Sequence, residues 1–217
     1  MPPAGPPEIA FAGRSNSGKS SAINALAQRT RLAFASRTPG RTQQINYFRL
    51  RSGALVADLP GYGYAAVPQA LKRHWHAFLG RYVATRQSLV GLVLIVDARH
   101  GLAEADLTLL GGYLSSGRPA LVLATKIDKL PSSRRQAAAE AIARAVAQSF
   151  PGNAAQVTVV PFSATHKIGV EPAEAVLGEW LAPFPADLST VAKSGATKEK
   201  APRSRGVPRG PKRPSRG

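Results

Sequence analysis

The feature that most constrains the fold is an octapeptide, Gly13-Arg14-Ser15-Asn16-Ser17-Gly18-Lys19-Ser20, set between two segments of different periodicity. Ahead of it, Glu8 to Ala12 (EIAFA) is a short apolar run with strand character. After it, from Gly18 to Gln28, the residues Ala22, Ile23, Leu26 and Ala27 fall on one side of a helix. A strand that turns through glycines straight into a helix is the first half of a βαβ unit, so the sheet it starts should be mostly parallel.

The rest of the chain agrees. Ile45 to Leu50 and Ala54 to Ala57 read as two strands joined by a Ser52-Gly53 turn, a hairpin signal. Leu71 to Thr85 reads as a helix, Leu92 to Val96 as a strand, and Ala103 to Leu114 as a helix. Ala120 to Ala124 (strand), Pro131 to Phe150 (helix), Val157 to Phe162 (strand) and Glu171 to Leu181 (helix) complete the series. The expected fold is α/β: a mostly parallel six-stranded sheet with one antiparallel edge strand, covered by helices on both faces.

Residues 1–7 read as a short Pro-rich extension, 8–184 as one domain, and 185–217 as a basic Pro/Gly/Ser-rich tail without apolar periodicity, expected to be disordered. The chain carries 29 Lys+Arg against 12 Asp+Glu, a net +17, of which +8 lies between Lys193 and Gly217. A basic body as well as a basic tail points to a polyanionic partner. The absence of cysteine excludes disulfides and cysteinyl metal sites. No stretch approaches the roughly 20 apolar residues that span a bilayer, and the first residues lack a basic-then-apolar signal pattern. A cytoplasmic monomer with no membrane contact is expected.

The octapeptide matches G-x-x-x-x-G-K-[ST], the Walker A pattern. Its glycines let backbone amides curl around a β-phosphate, and the following helix aims its N-terminal amides at the same charge. Lys19 would reach the β- and γ-phosphates and Ser20 would ligate Mg²⁺. Asp58-Leu59-Pro60-Gly61 ends an apolar strand about forty residues later. A carboxylate there can hold Mg²⁺ through water, and Gly61 can offer its N–H to a γ-phosphate. In the loop Thr38-Pro39-Gly40-Arg41-Thr42 a threonine hydroxyl, Thr42 in preference to Thr38, can complete the Mg²⁺ shell only while a γ-phosphate is present.

Walker A does not choose between ATP and GTP; the base site does. Thr125-Lys126-Ile127-Asp128 follows an apolar strand. The Asp128 carboxylate can accept from guanine N1–H and the exocyclic amine, a donor pair that adenine lacks. The Lys126 stem can lie along the purine, and Ser163-Ala164, after Phe162, can present a backbone N–H to guanine O6.

Three segments narrow the match: GRSNSGKSS from Gly13 to Ser21, TPGRTQ from Thr38 to Gln43, and DLPGYGYA from Asp58 to Ala65. Together they resemble the EngB (YihA/YsxC) family of bacterial ribosome-biogenesis GTP-binding proteins, within the TrmE-Era-EngA-EngB-Septin superfamily. The resemblance spans about Pro7 to Leu181. It implies a Ras-like P-loop fold, slow GTP hydrolysis, a switch role in assembly of the 50S subunit with rRNA as partner, and a link to septation and the cell cycle. The nucleotide set then comprises Gly13, Arg14, Ser15, Asn16, Ser17, Gly18, Lys19, Ser20, Ser21, Gly40, Arg41, Thr42, Asp58, Leu59, Pro60, Gly61, Thr125, Lys126, Ile127, Asp128, Phe162, Ser163 and Ala164. Lys19, Thr42 and Gly61 are the catalytic candidates.

The chain departs from the family in places. Ser17 replaces a small apolar residue, a change expected to be harmless. Thr125 stands where many GTPases have Asn, which should loosen packing between base loop and phosphate loop. The family is expected to carry a longer segment ahead of the first strand, so a truncated or misassigned start is among the expectations. Tyr62 follows Gly61 where Ras-type enzymes have a water-orienting Gln, so turnover should be slow without a partner or ion. Asn16 is a candidate K⁺ ligand, and Arg14 or Arg41 could reach the phosphates. Trp75, between His74 and His76, packs or contacts a partner, while His100 and His166 carry no site signal. Two other readings stay open: a basic RNA-binding protein whose nucleotide site barely hydrolyses, and an ATP-dependent P-loop enzyme.

Overall fold

The computed structural model describes residues 5–27, 45–63 and 69–184, the side chains of 69–76 excepted. The strands are β1 (Glu8–Gly13), β2 (Asn46–Arg49), β3 (Leu55–Asp58), β4 (Leu89–Asp97), β5 (Ala120–Thr125) and β6 (Val157–Pro161). The helices are α1 (Lys19–Leu26), α2 (Gln69–Thr85), α3 (Glu104–Leu114), α4 (Ser132–Ser149) and α5 (Val170–Leu181). The sheet order is β2-β3-β1-β4-β5-β6. All pairs are parallel except β2 with β3, the expected hairpin at the edge.

Alternation along the central strands divides the interior into two cores. Ala10, Ala12, Leu92, Leu94, Val96, Val122 and Ala124 face one side, where they meet Leu79, Tyr82 and Val83 of α2, Leu109, Leu110 and Tyr113 of α3, and Ala139, Ile142 and Val146 of α4. Ile9, Phe11, Val93, Ile95, Leu121 and Leu123 face the other, against Ala22 and Ile23 of α1 and Ala173 of α5. Strands buried on both faces read as continuous apolar runs, which is why β4 and β5 were plain in the sequence. On α4 the buried positions recur at helical spacing, so this Ala-rich helix lays a single stripe on the sheet. Gly91 leaves room for the Trp180 ring: a Cβ there would lie 2.0 Å from it.

At the amino-terminal edge of β1 sits a fully buried carboxylate. Glu8 is ion-paired with Arg86. It also accepts hydrogen bonds from the Tyr82 hydroxyl at 3.0 Å and the Ser88 hydroxyl at 2.8 Å. This network clamps β1 to the end of α2 and to the turn before β4, opposite the end where the Walker loop emerges. Removing Glu8 takes from the buried Arg86 its carboxylate partner. Glu8→Ala should therefore cost about 3–5 kcal/mol, read as a lower urea midpoint at unchanged slope; a loss below about 1 kcal/mol would contradict the network's role.

Candidate nucleotide-binding site

The Walker loop leaves the carboxyl end of β1 between β3 and β4, where neighbouring connections run to opposite sides of the sheet. Gly13 is fixed by packing: a Cβ there would lie 2.7 Å from the Ile95 carbonyl and 2.8 Å from Ser17 Oγ. Asn16 (φ 65°) and Gly18 (φ 100°) take left-handed backbone, which turns the chain sharply into α1. Gly18 is the N-cap and brings no side-chain cap, so the first amides of α1 point at the loop's hollow. Ser20 lies in that first turn.

The second phosphate element runs beside the first. The Leu59 N–H donates to the Phe11 carbonyl at 2.9 Å and the Ser15 N–H to the Tyr62 carbonyl at 2.8 Å. A Cβ on Gly61 would come within 3.1 Å of Ser15 Oγ. Asp58 and Lys19 form an ion pair, each side chain largely shielded from solvent. Lys19, Ser20, Asp58 and Gly61 are thus gathered at one mouth. Thr38, Gly40, Arg41 and Thr42 lie outside the described residues, as does the tail.

A divalent ion can be tested against this donor set. Among the described residues no group of three or more His, Cys, Asp or Glu could cage a metal. One carboxylate, Asp58, and one hydroxyl, Ser20, suit Mg²⁺, which keeps waters and takes its remaining ligands from phosphates. They do not suit a transition metal.

The base-site residues are joined to the phosphate loop. Thr125 is buried, and its hydroxyl donates to the Ser17 carbonyl at 2.5 Å, with the Val96 carbonyl 3.1 Å away. Where a loosening was expected, the Thr125 hydroxyl thus joins the base loop to the phosphate loop directly. Lys126, in left-handed backbone, donates from Nζ to the Asn16 carbonyl at 2.5 Å and pairs with Asp97 at 3.0 Å. Ile127 is buried and its N–H reaches the Phe162 carbonyl at 3.3 Å.

Asp128 has a side chain only 6 % exposed, with Lys129 at 3.6 Å and His166 Nδ1 at 3.7 Å. A hydrogen bond from the Ser163 side chain, outweighing burial, holds its carboxyl below the usual range. The Ser163 N–H is engaged by the Ile168 carbonyl at 3.0 Å, and the return bond closes the 164–167 loop.

Three features escaped the sequence reading. Asp97, the last residue of β4, holds Lys126; its position at the carboxyl edge was the available signal. His166, read as carrying no site signal, stands beside Asp128 because the Ser163–Ile168 bridge folds its loop back. Ser17, expected to be harmless, buries a hydroxyl that has no hydrogen-bond partner among the described residues. Ser17→Ala should then raise stability by about 1 kcal/mol, measured by thermal melting; a lower melting temperature would show that the hydroxyl has an acceptor.

Burial alone would raise the Asp97 carboxyl, but hydrogen bonds from Arg99 and Lys126 pull it far below the ordinary range. A depressed carboxylate contributes stability above its unfolded value, about 3.9, and loses it as pH falls. Asp97→Asn should therefore be less stable than the parent at pH 7, with the gap closing below about pH 4. Urea midpoints across that range test this, and a constant gap would contradict it.

The chain is similar to known GTP-binding proteins. Residues 8–126 match a family model described as 50S ribosome-binding GTPase. A probable GTP-binding protein EngB of Azoarcus sp. (strain BH72) is 52 % identical over 187 residues, 86 % of this chain and 88 % of that protein. The corresponding protein of Neisseria meningitidis serogroup B is 47 % identical over 81 % of this chain and 83 % of its own. Among solved structures, a probable GTP-binding protein EngB superposes with a TM-score of 0.63 at 21 % identity, over 81 % of this chain and 99 % of its own. Era, bound to MgGDPNP and a piece of 16S ribosomal RNA, gives 0.59 at 18 % identity, over 80 % of this chain and 56 % of its own. These last two likenesses speak for the fold; the sequence matches place the chain in the EngB family of P-loop GTPases.

Proposed function

We propose that this protein binds GTP and GDP with Mg²⁺, hydrolyses GTP slowly, and uses the two nucleotide states as a switch during assembly of the large ribosomal subunit. The observation that carries the nucleotide reading is Asp128: a shielded carboxylate, kept ionised by Ser163 and positioned beside the phosphate loop by the Thr125 and Lys126 ties. Guanine offers two donors to such a group. Adenine would leave it buried and unmatched.

The residues divide the chemistry among them. Lys19 would exchange Asp58 for the β- and γ-phosphates, which frees the Asp58 carboxylate to orient water around Mg²⁺. Ser20 and Thr42 would complete the ion's shell, and Gly61 would donate its N–H to the γ-phosphate. With the Ser163 N–H already engaged, the amide offered to guanine O6 is that of Ala164. Mg²⁺ neutralises charge on the transferring phosphoryl group when bound.

Slow turnover follows from Tyr62. Its ring is buried and its hydroxyl is turned onto Asp106 at 2.8 Å, so it cannot orient a water over the phosphates. K⁺ held by Asn16, at the exposed tip of the loop, would supply part of the missing charge stabilisation. The ribosomal role rests on the family and on the +17 charge, which suits an RNA surface. Among the described residues no helix is long and apolar enough to cross a membrane, and a cytoplasmic monomer suits this role.

Asp128→Asn replaces an acceptor of the N1–H and amine pair by an amide. It should weaken GDP binding by about 100-fold or more and move preference toward xanthosine diphosphate, whose C2 oxygen accepts from that amide. Unchanged GDP affinity would refute the base-site assignment. The ribosomal part is tested by sedimentation with purified 50S subunits: retention with a GTP analogue and release with GDP supports it, and no retention with either removes it.

A further inference from the structure

Asp106 lies on α3, away from every motif that touches nucleotide, yet it is 1 % exposed. Its two oxygens are used separately: Oδ2 accepts the Ala103 N–H at 2.9 Å, closing the first turn of α3, and Oδ1 accepts the Tyr62 hydroxyl at 2.8 Å. An ordinary cap needs only the first of these bonds. The second reaches 44 residues back along the chain, to the residue directly after Gly61.

The backbone of Tyr62 is at the same time part of the phosphate site. It forms a bridge with Arg14, accepts from the Ser15 N–H, and donates weakly to the Gly13 carbonyl at 3.4 Å. One residue thus ties the phosphate loop by its main chain and α3 by its phenol. The phenol stands beside a small cavity of about 30 Å³ between α2 and α3, lined by Leu79, Gly80, Ala105, Thr108 and Leu109 as well as Tyr62.

We propose that Asp106 is a positioning residue for the nucleotide switch: through the Tyr62 hydroxyl it holds the Gly61 N–H over the phosphate loop, and so sets the preference for GTP over GDP. The chain of contact is short. Asp106 fixes the phenol, the phenol fixes the Tyr62 main chain, and Gly61 is the residue just before, so close to the phosphate loop that an added Cβ would come within 3.1 Å of Ser15 Oγ. Only a γ-phosphate needs the Gly61 amide, so freeing it should weaken GTP binding and spare GDP. Burial pushes the Tyr62 phenol well above its ordinary value, with the Asp106 charge adding to this, so the phenol stays protonated and remains the donor.

This inference rests on the guanine-nucleotide reading, and the experiment separates the two. Affinities for GDP and a non-hydrolysable GTP analogue are measured for the parent, Tyr62→Phe, Asp106→Ala and the double variant, with melting temperatures recorded in GDP. Tyr62→Phe keeps the ring and the Asp106–Ala103 bond, so it reports even where Asp106→Ala fails to fold. The expected result is analogue binding about fivefold weaker in each variant, GDP binding within about twofold, and a double variant no worse in this ratio than either single one. Equal weakening of both nucleotides would make the pair merely structural and overturn the proposal, as would an unchanged ratio. A parent that binds neither nucleotide would overturn the guanine reading itself, and this proposal with it.

Discussion

Everything at the nucleotide mouth depends on how closely the Walker loop lies against β4 and the base loop. Gly13 is so near the Ile95 carbonyl that no side chain could stand there. The same proximity lets one hydroxyl, that of Thr125, bond the Ser17 carbonyl, and one ammonium, that of Lys126, reach both the Asn16 carbonyl and Asp97. The two loops come from segments more than 100 residues apart, yet direct hydrogen bonds join them.

The charges are arranged on the same plan. Two acidic groups at the mouth are paired with cations: Asp58 with Lys19, and Asp97 with Lys126 and Arg99. Neither of these two carboxylates is buried as a bare charge, so the strong penalty of an unpaired buried ion does not arise for them. Glu8 and Arg86 apply the same rule at the far end of β1.

Much of this was legible in the sequence for physical reasons. Continuous apolar runs marked the strands buried on both faces, and Ser52-Gly53 marked the hairpin that supplies the antiparallel edge. Glycines and Lys19 in fixed spacing marked the phosphate loop. What stayed hidden were ties between distant segments. Nothing local says that Tyr62 will meet Asp106, or that Thr125 will reach across to Ser17, because these depend on the spacing between elements after packing. Asp97 and His166 look like ordinary surface residues until β4 and the 164–167 loop bring them to Lys126 and Asp128. The Thr125 hydroxyl bond to Ser17 is likewise a contact that only the packed loops reveal.

The central claim is that the site selects guanine over adenine. Titration of fluorescent GDP into the full chain with Mg²⁺, followed by competition with unlabelled ADP, tests it most directly. The account predicts saturable GDP binding that ADP does not displace even at about 1,000-fold excess, a separation of about 4 kcal/mol. Displacement by ADP at concentrations comparable with GDP would contradict it, and would return the site to an ATP-dependent P-loop enzyme.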